Sequence, residues 1–282
     1  MNMKQMFTKI KILPLENTLI HEGTVKRWVE KVAEYIQHDG FIKHPVVVTE
    51  NSGKYIVLDG MHRVAALKEL GVRDIAAYIV DYDKNVKLYG WDGLILSPIS
   101  IHDSLEHFKN GRDFKIIRIS SYEEARKLLA LRNIYFFMMG KKEIIDAVAP
   151  PDASTHIELE EWISCFRSME EKLDEAGHKI IYIADSQSLQ DFRDSNAHVL
   201  FGRPSFTKAE VLKRTLQSKI FPRKSTRHVI PGRPLRVDVD LTLLREHIDI
   251  ETKNQLLQSR LKWAWENNMV RYYPDSVFVF SD

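Results

Sequence analysis

The chain has 282 residues, 44% hydrophobic and 28% charged, with 41 Lys and Arg against 39 Asp and Glu. That length fits one elaborated α/β domain or two subdomains, and a formal charge of +2 is not that of a chain living on nucleic-acid phosphates. One cysteine, Cys165, excludes an intramolecular disulfide and points to a reducing cytoplasm, and no stretch approaches the roughly 18 apolar residues of a membrane helix.

The opening "MNMKQMFTKIKILPLE" has no apolar centre or cleavage site, so no secretory leader is expected. Within it "KIKILPL" alternates and predicts a first strand. Thr24 is placed to cap a helix whose apolar face is Val25, Trp28, Val29, Val32 and Ile36, stopped by Gly40. "PVVVTE" and "KYIVLD" are β-branched runs joined by "NSG", a hairpin. "IVLDGMHRVAALKELG" then passes from a buried strand through one glycine into a helix with Val64, Ala65, Leu67 and Leu70 apolar and Gly71 as its stop. "DIAAYIVDY" is a further strand, so residues 8 to 83 alternate strand and helix around a small mixed sheet.

A second α/β region starts near Phe114. "FKIIRI", "IYFFMMG" and "KIIYIAD" read as strands. Ser121 with Glu124, and Thr207 with Glu210, form capping boxes ahead of helices. Trp162, Phe166, Met169 and Leu173 define a helix between them. The end reads as "LRVDVDLTLL", an amphipathic helix at "LLQSRLKWAWENN" and a strand at "SVFVF". The fold class is α/β (α+β), with one domain over residues 1–92 and a second mixed α/β domain over residues 93–282.

Three constellations carry possible chemistry. A helix start offers unpaired N–H donors and partial positive charge, and at residues 59–63 Gly60 permits close approach while His62 and Arg63 add donors, a combination suited to phosphate. Asp59 could hold a metal or hydroxyl, or serve only as the helix cap with Arg63 a solvated charge. "RKSTRH" gathers Lys224, Ser225, Thr226, Arg227 and His228 as a second anion cradle or a basic surface loop. Glu22, next to His21 before a helix, is a general base or a plain surface carboxylate. Trp91 in "YGWDG" is placed in a Gly-flanked loop able to wall a small pocket, while Cys165 has the neighbours of a core thiol. His156, His178 and His198 stand alone, as surface histidines do.

"DGMHRVAALKELG" after "YIVL" resembles the phosphate-binding turn of the ParB/sulfiredoxin-like fold. With "IHEGT", "FIKHPVVV", "VKLYGW" and "KSTRHVIPGRPLRVDVDLTLL" in this order, the chain resembles the free L-serine kinases, archaeal enzymes and a bacterial one of siderophore precursor synthesis. The resemblance implies phosphoryl transfer from ATP or ADP, with Mg²⁺, to the hydroxyl of free L-serine. It implies Glu22 as the catalytic carboxylate, and Asp59, Gly60, Met61, His62 and Arg63 as the nucleotide-phosphate turn, with Asp59 nearest the metal. It implies Lys224, Ser225, Thr226 and Arg227 as the second phosphate loop, and Trp91, Thr226 and His228 around the amino acid. Met61 replaces a histidine of the archaeal "DGHHR" form, leaving a backbone role at most. It also stands where sulfiredoxins need a cysteine, which sets that activity aside. The helix-turn-helix that follows in ParB partition proteins is not recognisable, so nucleic acid is not the expected partner. The rival expectation is a nucleotide- or haem-responsive DNA-binding regulator of the same fold without kinase activity.

Overall fold

The computed structural model describes residues 7–108, 113–152 and 156–271. It begins with β1 (Ile10–Pro14) and β2 (Thr18–Ile20), then helix α1 (Lys26–Asp39) and the two-residue β3 (Phe41–Ile42). The hairpin β4 (Val46–Asn51) and β5 (Lys54–Asp59) leads to helix α2 (Met61–Glu69) and β6 (Asp74–Ile79). Five strands form one sheet in the order β1-β6-β4-β5-β2. It is parallel between β2 and β5 and between β4 and β6, and antiparallel elsewhere. Val46, Val47, Val48, Ile56 and Val57 are wholly buried, as strands covered on both faces require. Ser52 and Gly53 both take positive φ (50° and 76°), the geometry a tight hairpin demands and "NSG" predicts.

Helix α1 departs from expectation at its start. Its cap position is Val25, without a side-chain cap, and Trp28 is 46% exposed rather than on the buried face. Val29 and Ile36 are buried as expected, and Ala33 joins them. Gly40 ends the helix as expected, with φ 74° and its N–H on the Ile36 carbonyl.

After α3 (Tyr82–Asn85) come β7 (Lys87–Tyr89), β8 (Trp91–Ile95), α4 (Ile101–Phe108), β9 (Lys115–Ile119) and α5 (Tyr122–Ala130). Next are β10 (Phe136–Gly140), β11 (Ile145–Ala149), α6 (Leu159–Glu175), β12 (Ile180–Ala184) and α7 (Ser188–Asp194). β13 (Val199–Gly202), α8 (Lys208–Leu216) and β14 (Arg227–Val229) follow. A six-stranded sheet runs β12-β8-β13-β10-β11-β9, antiparallel at every pairing. Thr207 and Glu210 form a full capping box, Thr207 Oγ1 accepting from Glu210 N at 3.2 Å and Glu210 from Thr207 N at 2.8 Å, whereas Ser121 Oγ accepts from Glu124 N at 3.1 Å but the Glu124 carboxylate turns to the Ser120 N–H. Trp162, Phe166, Met169 and Leu173 are buried on α6, and Cys165 lies among them as a core thiol.

The chain then closes with β15 (Val239–Asp240), α9 (Leu241–Arg245) and α10 (Ile250–Glu266). β15 pairs with β3, and α10 packs on β1. β1 is a sheet edge, and α10 satisfies it with amide side chains, which keeps another strand from adding there. Asn254 takes the N–H of Ile12 at 2.8 Å and donates to its carbonyl at 2.9 Å, while Gln258 donates to the carbonyls of Phe7 and Ile10. Lys253, fully buried, places Nζ 2.7 Å from Asp74 Oδ2 and 2.7 Å from the Glu246 carbonyl.

These contacts make the division discontinuous, where the sequence suggests a cut after residue 92. One unit comprises Met1–Lys87, Val211–Ile220 and Ile230–Asp282, the other Leu88–Glu210 and Phe221–Val229. The expected strand "SVFVF" lies outside the described residues. Among the described residues no helix is long and apolar enough to cross a membrane.

Candidate active site

In the first unit the parallel pair β2 and β5 sets the geometry. Its register ends with Ile20 opposite Val57, and Glu22 and Asp59 each lie two residues further along their chains. Both carboxylates thus leave the carboxyl ends of neighbouring parallel strands, where α/β sheets bind ligands. Glu22 is buried, with 5% of its surface exposed, although a loop glutamate reads as a surface residue in the sequence. His21 is wholly buried, its Nδ1 2.6 Å from the Val57 carbonyl, which requires the proton on Nδ1. Its Nε2 lies 3.7 Å from Glu22 Oε1.

Helix α2 starts at Gly60, whose φ of 100° is open only to glycine at low cost. A Cβ there would sit 2.7 Å from Val46 Cγ1 and 2.8 Å from Arg63 Nη2. The helix has no side-chain cap and no acidic residue in its first turn. A helix start without a side-chain cap is suited to an anion. Asp59 does not cap it. Asp59 Oδ2 instead accepts from Arg63 Nη2 at 2.5 Å and from Arg233 Nη2 at 2.6 Å.

Two further expectations change in detail. Arg63 is not a solvated charge: its Nη1 donates to the carbonyls of His44 and Pro45 at 2.6 and 2.8 Å, so its terminal nitrogens serve protein partners. Burial holds its guanidinium below the ordinary arginine value, against the pull of Asp59. His62 Nε2 accepts the Val25 N–H at 3.2 Å, which fixes the start of α1 to that of α2 and explains the missing Thr24 cap. His44 beside them is pushed down by burial first, then by Arg63 and Arg233.

The second unit holds the other group. Trp91 opens strand β8 rather than sitting in a loop, and its Nε1 donates to the Thr226 carbonyl at 2.8 Å. Lys224 Nζ stands 4.5 Å from the Trp91 ring centroid, and Arg227 lies over both Tyr89 and Trp91 at 5.8 Å. Lys224 takes φ 59°, a left-handed conformation that non-glycine residues adopt at a cost and that clusters at functional sites. Ser225 is buried and its hydroxyl donates to the Pro222 carbonyl at 2.7 Å, so it shapes the turn instead of offering a donor to phosphate. Thr226 is also buried, and Arg227 and His228 fall on β14.

Arg203 organises this group and is not visible as a motif. Its Nη1 donates to the carbonyls of Trp91 (3.2 Å) and Lys224 (2.7 Å), and its backbone N–H to Asp92 Oδ1 at 3.0 Å. The guanidinium lies near the Phe166 and Tyr182 rings, at 5.1 and 5.0 Å. Nε approaches Glu170 Oε1 at 2.9 Å without pointing its hydrogen at it, a charge contact more than a hydrogen bond. Asp92 is fully buried beneath Trp91. Burial pushes its carboxyl up, and Arg126 opposes this with contacts of 3.2 and 2.6 Å. The only sequence signal for Arg203 is an arginine following the apolar strand "HVLFG".

Residues 8–90 match the family model of the ParB N-terminal domain. An ATP-dependent L-serine kinase of Staphylothermus marinus is 29% identical over 239 residues, covering 83% of this chain and 90% of that protein. An ADP-dependent L-serine kinase of Thermococcus kodakarensis is 25% identical over 233 residues, covering 81% of this chain and 90% of the other. A solved free serine kinase in complex with AMP superposes with a TM-score of 0.68 at 25% identity, over 84% of this chain and 93% of that one.

Proposed function

We infer that this chain is a free L-serine kinase of the ParB/sulfiredoxin-like fold. It transfers a phosphoryl group from ATP or ADP to the serine hydroxyl and yields O-phospho-L-serine. The similarity to L-serine kinases runs over 90% of their length. The observation that carries the reading within the molecule is the burial of Glu22 just past the carboxyl end of β2, whose parallel neighbour β5 runs into Asp59 and the start of α2, which has no side-chain cap. A nucleotide sensor or a DNA-binding regulator has no use for a buried carboxylate at that place.

Phosphoryl transfer asks a protein mainly to position groups and to neutralise charge. The N–H groups at residues 60–63 take phosphate oxygens, with Arg63 adding charge from behind. Glu22 orients the serine hydroxyl and accepts its proton as the new O–P bond forms. The resemblance to the serine kinases assigns Trp91, Thr226 and His228 to the amino acid, and Lys224 and Arg227 to phosphate. Among the described residues no cluster of three His, Cys, Asp or Glu side chains could hold a metal. Mg²⁺ is commonly held by one or two carboxylates together with substrate phosphates. Asp59 would be that carboxylate, and the ion would supply charge neutralisation at the phosphates. The single buried thiol suits a reducing cytoplasm. Detection of O-phosphoserine from L-serine and ATP or ADP tests the reading.

A further inference from the structure

Asp59 Oδ2 is shared by two arginines that differ in every other respect. Arg63 is fastened by the His44 and Pro45 carbonyls and has 18% of its side chain exposed. Arg233 has 36% exposed, and among the described residues its only side-chain partner is Asp59. It sits in the loop "IPGRP", next to Gly232 at φ 64°. Beyond Arg233 the loop is fixed: Arg236 N donates to His44 Nδ1 at 3.0 Å, and Arg260 donates to the carbonyls of Val237 and Asp238. The loop therefore presents Arg233 while its base stays in place. Two guanidinium groups on one carboxylate leave one positive charge in excess, at the mouth of a helix whose N–H groups are uncapped. An arginine fork offers several donors, and a single contact to one oxygen uses few of them.

We infer that Arg233 is a nucleotide-binding residue that donates to the second phosphate of the bound nucleotide, and that Asp59 holds it ready at the start of α2 until the nucleotide arrives. The inference rests on the kinase reading for the identity of the anion. Its chemistry requires a phosphate beyond the first, because the leading N–H groups of α2 already suit one.

Titration calorimetry of the full chain with ADP and with AMP tests it, using Arg233→Ala and Arg233→Lys. A charge-assisted pair to phosphate supports a loss of about tenfold or more. Arg233→Ala should lose that much affinity for ADP and stay within about twofold for AMP. Arg233→Lys, which keeps the charge without the fork, should recover part of the loss. An unchanged ADP affinity in Arg233→Ala would overturn the inference and leave the pair with Asp59 a plain surface ion pair. Equal losses for ADP and AMP would overturn it too. If the unaltered chain bound neither nucleotide, the kinase reading itself would fall. If it bound ADP in an Arg233-dependent way but made no phosphoserine, the kinase reading alone would fall.

Discussion

Arg203 and Trp91 are joined through the main chain, with Arg203 Nη1 3.2 Å from the Trp91 carbonyl and 2.7 Å from that of Lys224. One buried guanidinium therefore fixes the strand end that carries Trp91 and the turn that carries Lys224. Arg203→Met should leave Glu170 with only Tyr182 and the charge of Arg223 and free the Trp91 and Lys224 carbonyls, destabilising the protein by about 3 kcal/mol, the low end for breaking a buried pair. Arg203→Lys should fold better, yet raise the KM for L-serine more than the KM for nucleotide. Denaturant unfolding and steady-state kinetics with each substrate varied would show this. Equal changes in both KM values would mean the role is purely structural.

Glu22→Gln removes a proton acceptor and keeps the side chain's shape. The turnover number should fall by about 10²–10⁴-fold, the usual worth of a general base. ADP affinity by calorimetry should stay near that of the unaltered protein. A variant retaining most of its turnover would remove Glu22 from the mechanism.

Lys253→Met should destabilise the first unit by about 3–5 kcal/mol, since Asp74 would remain buried without its partner. Lys253→Met combined with Asp74→Leu should recover much of that loss, because replacing both partners of a buried pair is often near neutral. Urea unfolding of the three proteins gives the comparison.

His44 gives the fold an acid-side weakness. Its pKa is lowered by burial and by Arg63 and Arg233, and its Nδ1 must stay unprotonated to accept from Arg236. The unfolded chain therefore takes up the proton first as pH falls. The stability from neutral His44 is complete above the ordinary value of 6.5 and is lost progressively below it, toward the lower folded value. Melting temperatures between pH 7.5 and 5 should fall more steeply for the unaltered chain than for His44→Asn, by the linkage of protonation to unfolding (about one proton). Parallel slopes would refute the assignment.

Local rules made much of the fold legible in the sequence. "NSG", the Thr207–Glu210 capping box, the Ser121 cap and Gly40 describe contacts within a few residues, and each appears as expected. The return of α10 to β1 was not legible, because Asn254 and Ile12 are 242 positions apart and no periodicity encodes that distance. The site divides the same way. Its glycine turn was readable from residues 59–63, whereas Arg203 and Arg233 act on backbone and carboxylate groups remote in sequence. Ser225 looked like a phosphate donor because a hydroxyl's partner, here the Pro222 carbonyl, is set by the turn's shape.

The central claim is the phosphorylation of free serine. Incubation of the full chain with Mg²⁺, L-serine and either ATP or ADP, followed by ³¹P NMR and mass spectrometry, tests it most directly. The account predicts O-phospho-L-serine, formed with loss of one phosphoryl group from the donor and abolished in Glu22→Gln. Nucleotide binding without phosphoserine from either donor would contradict it.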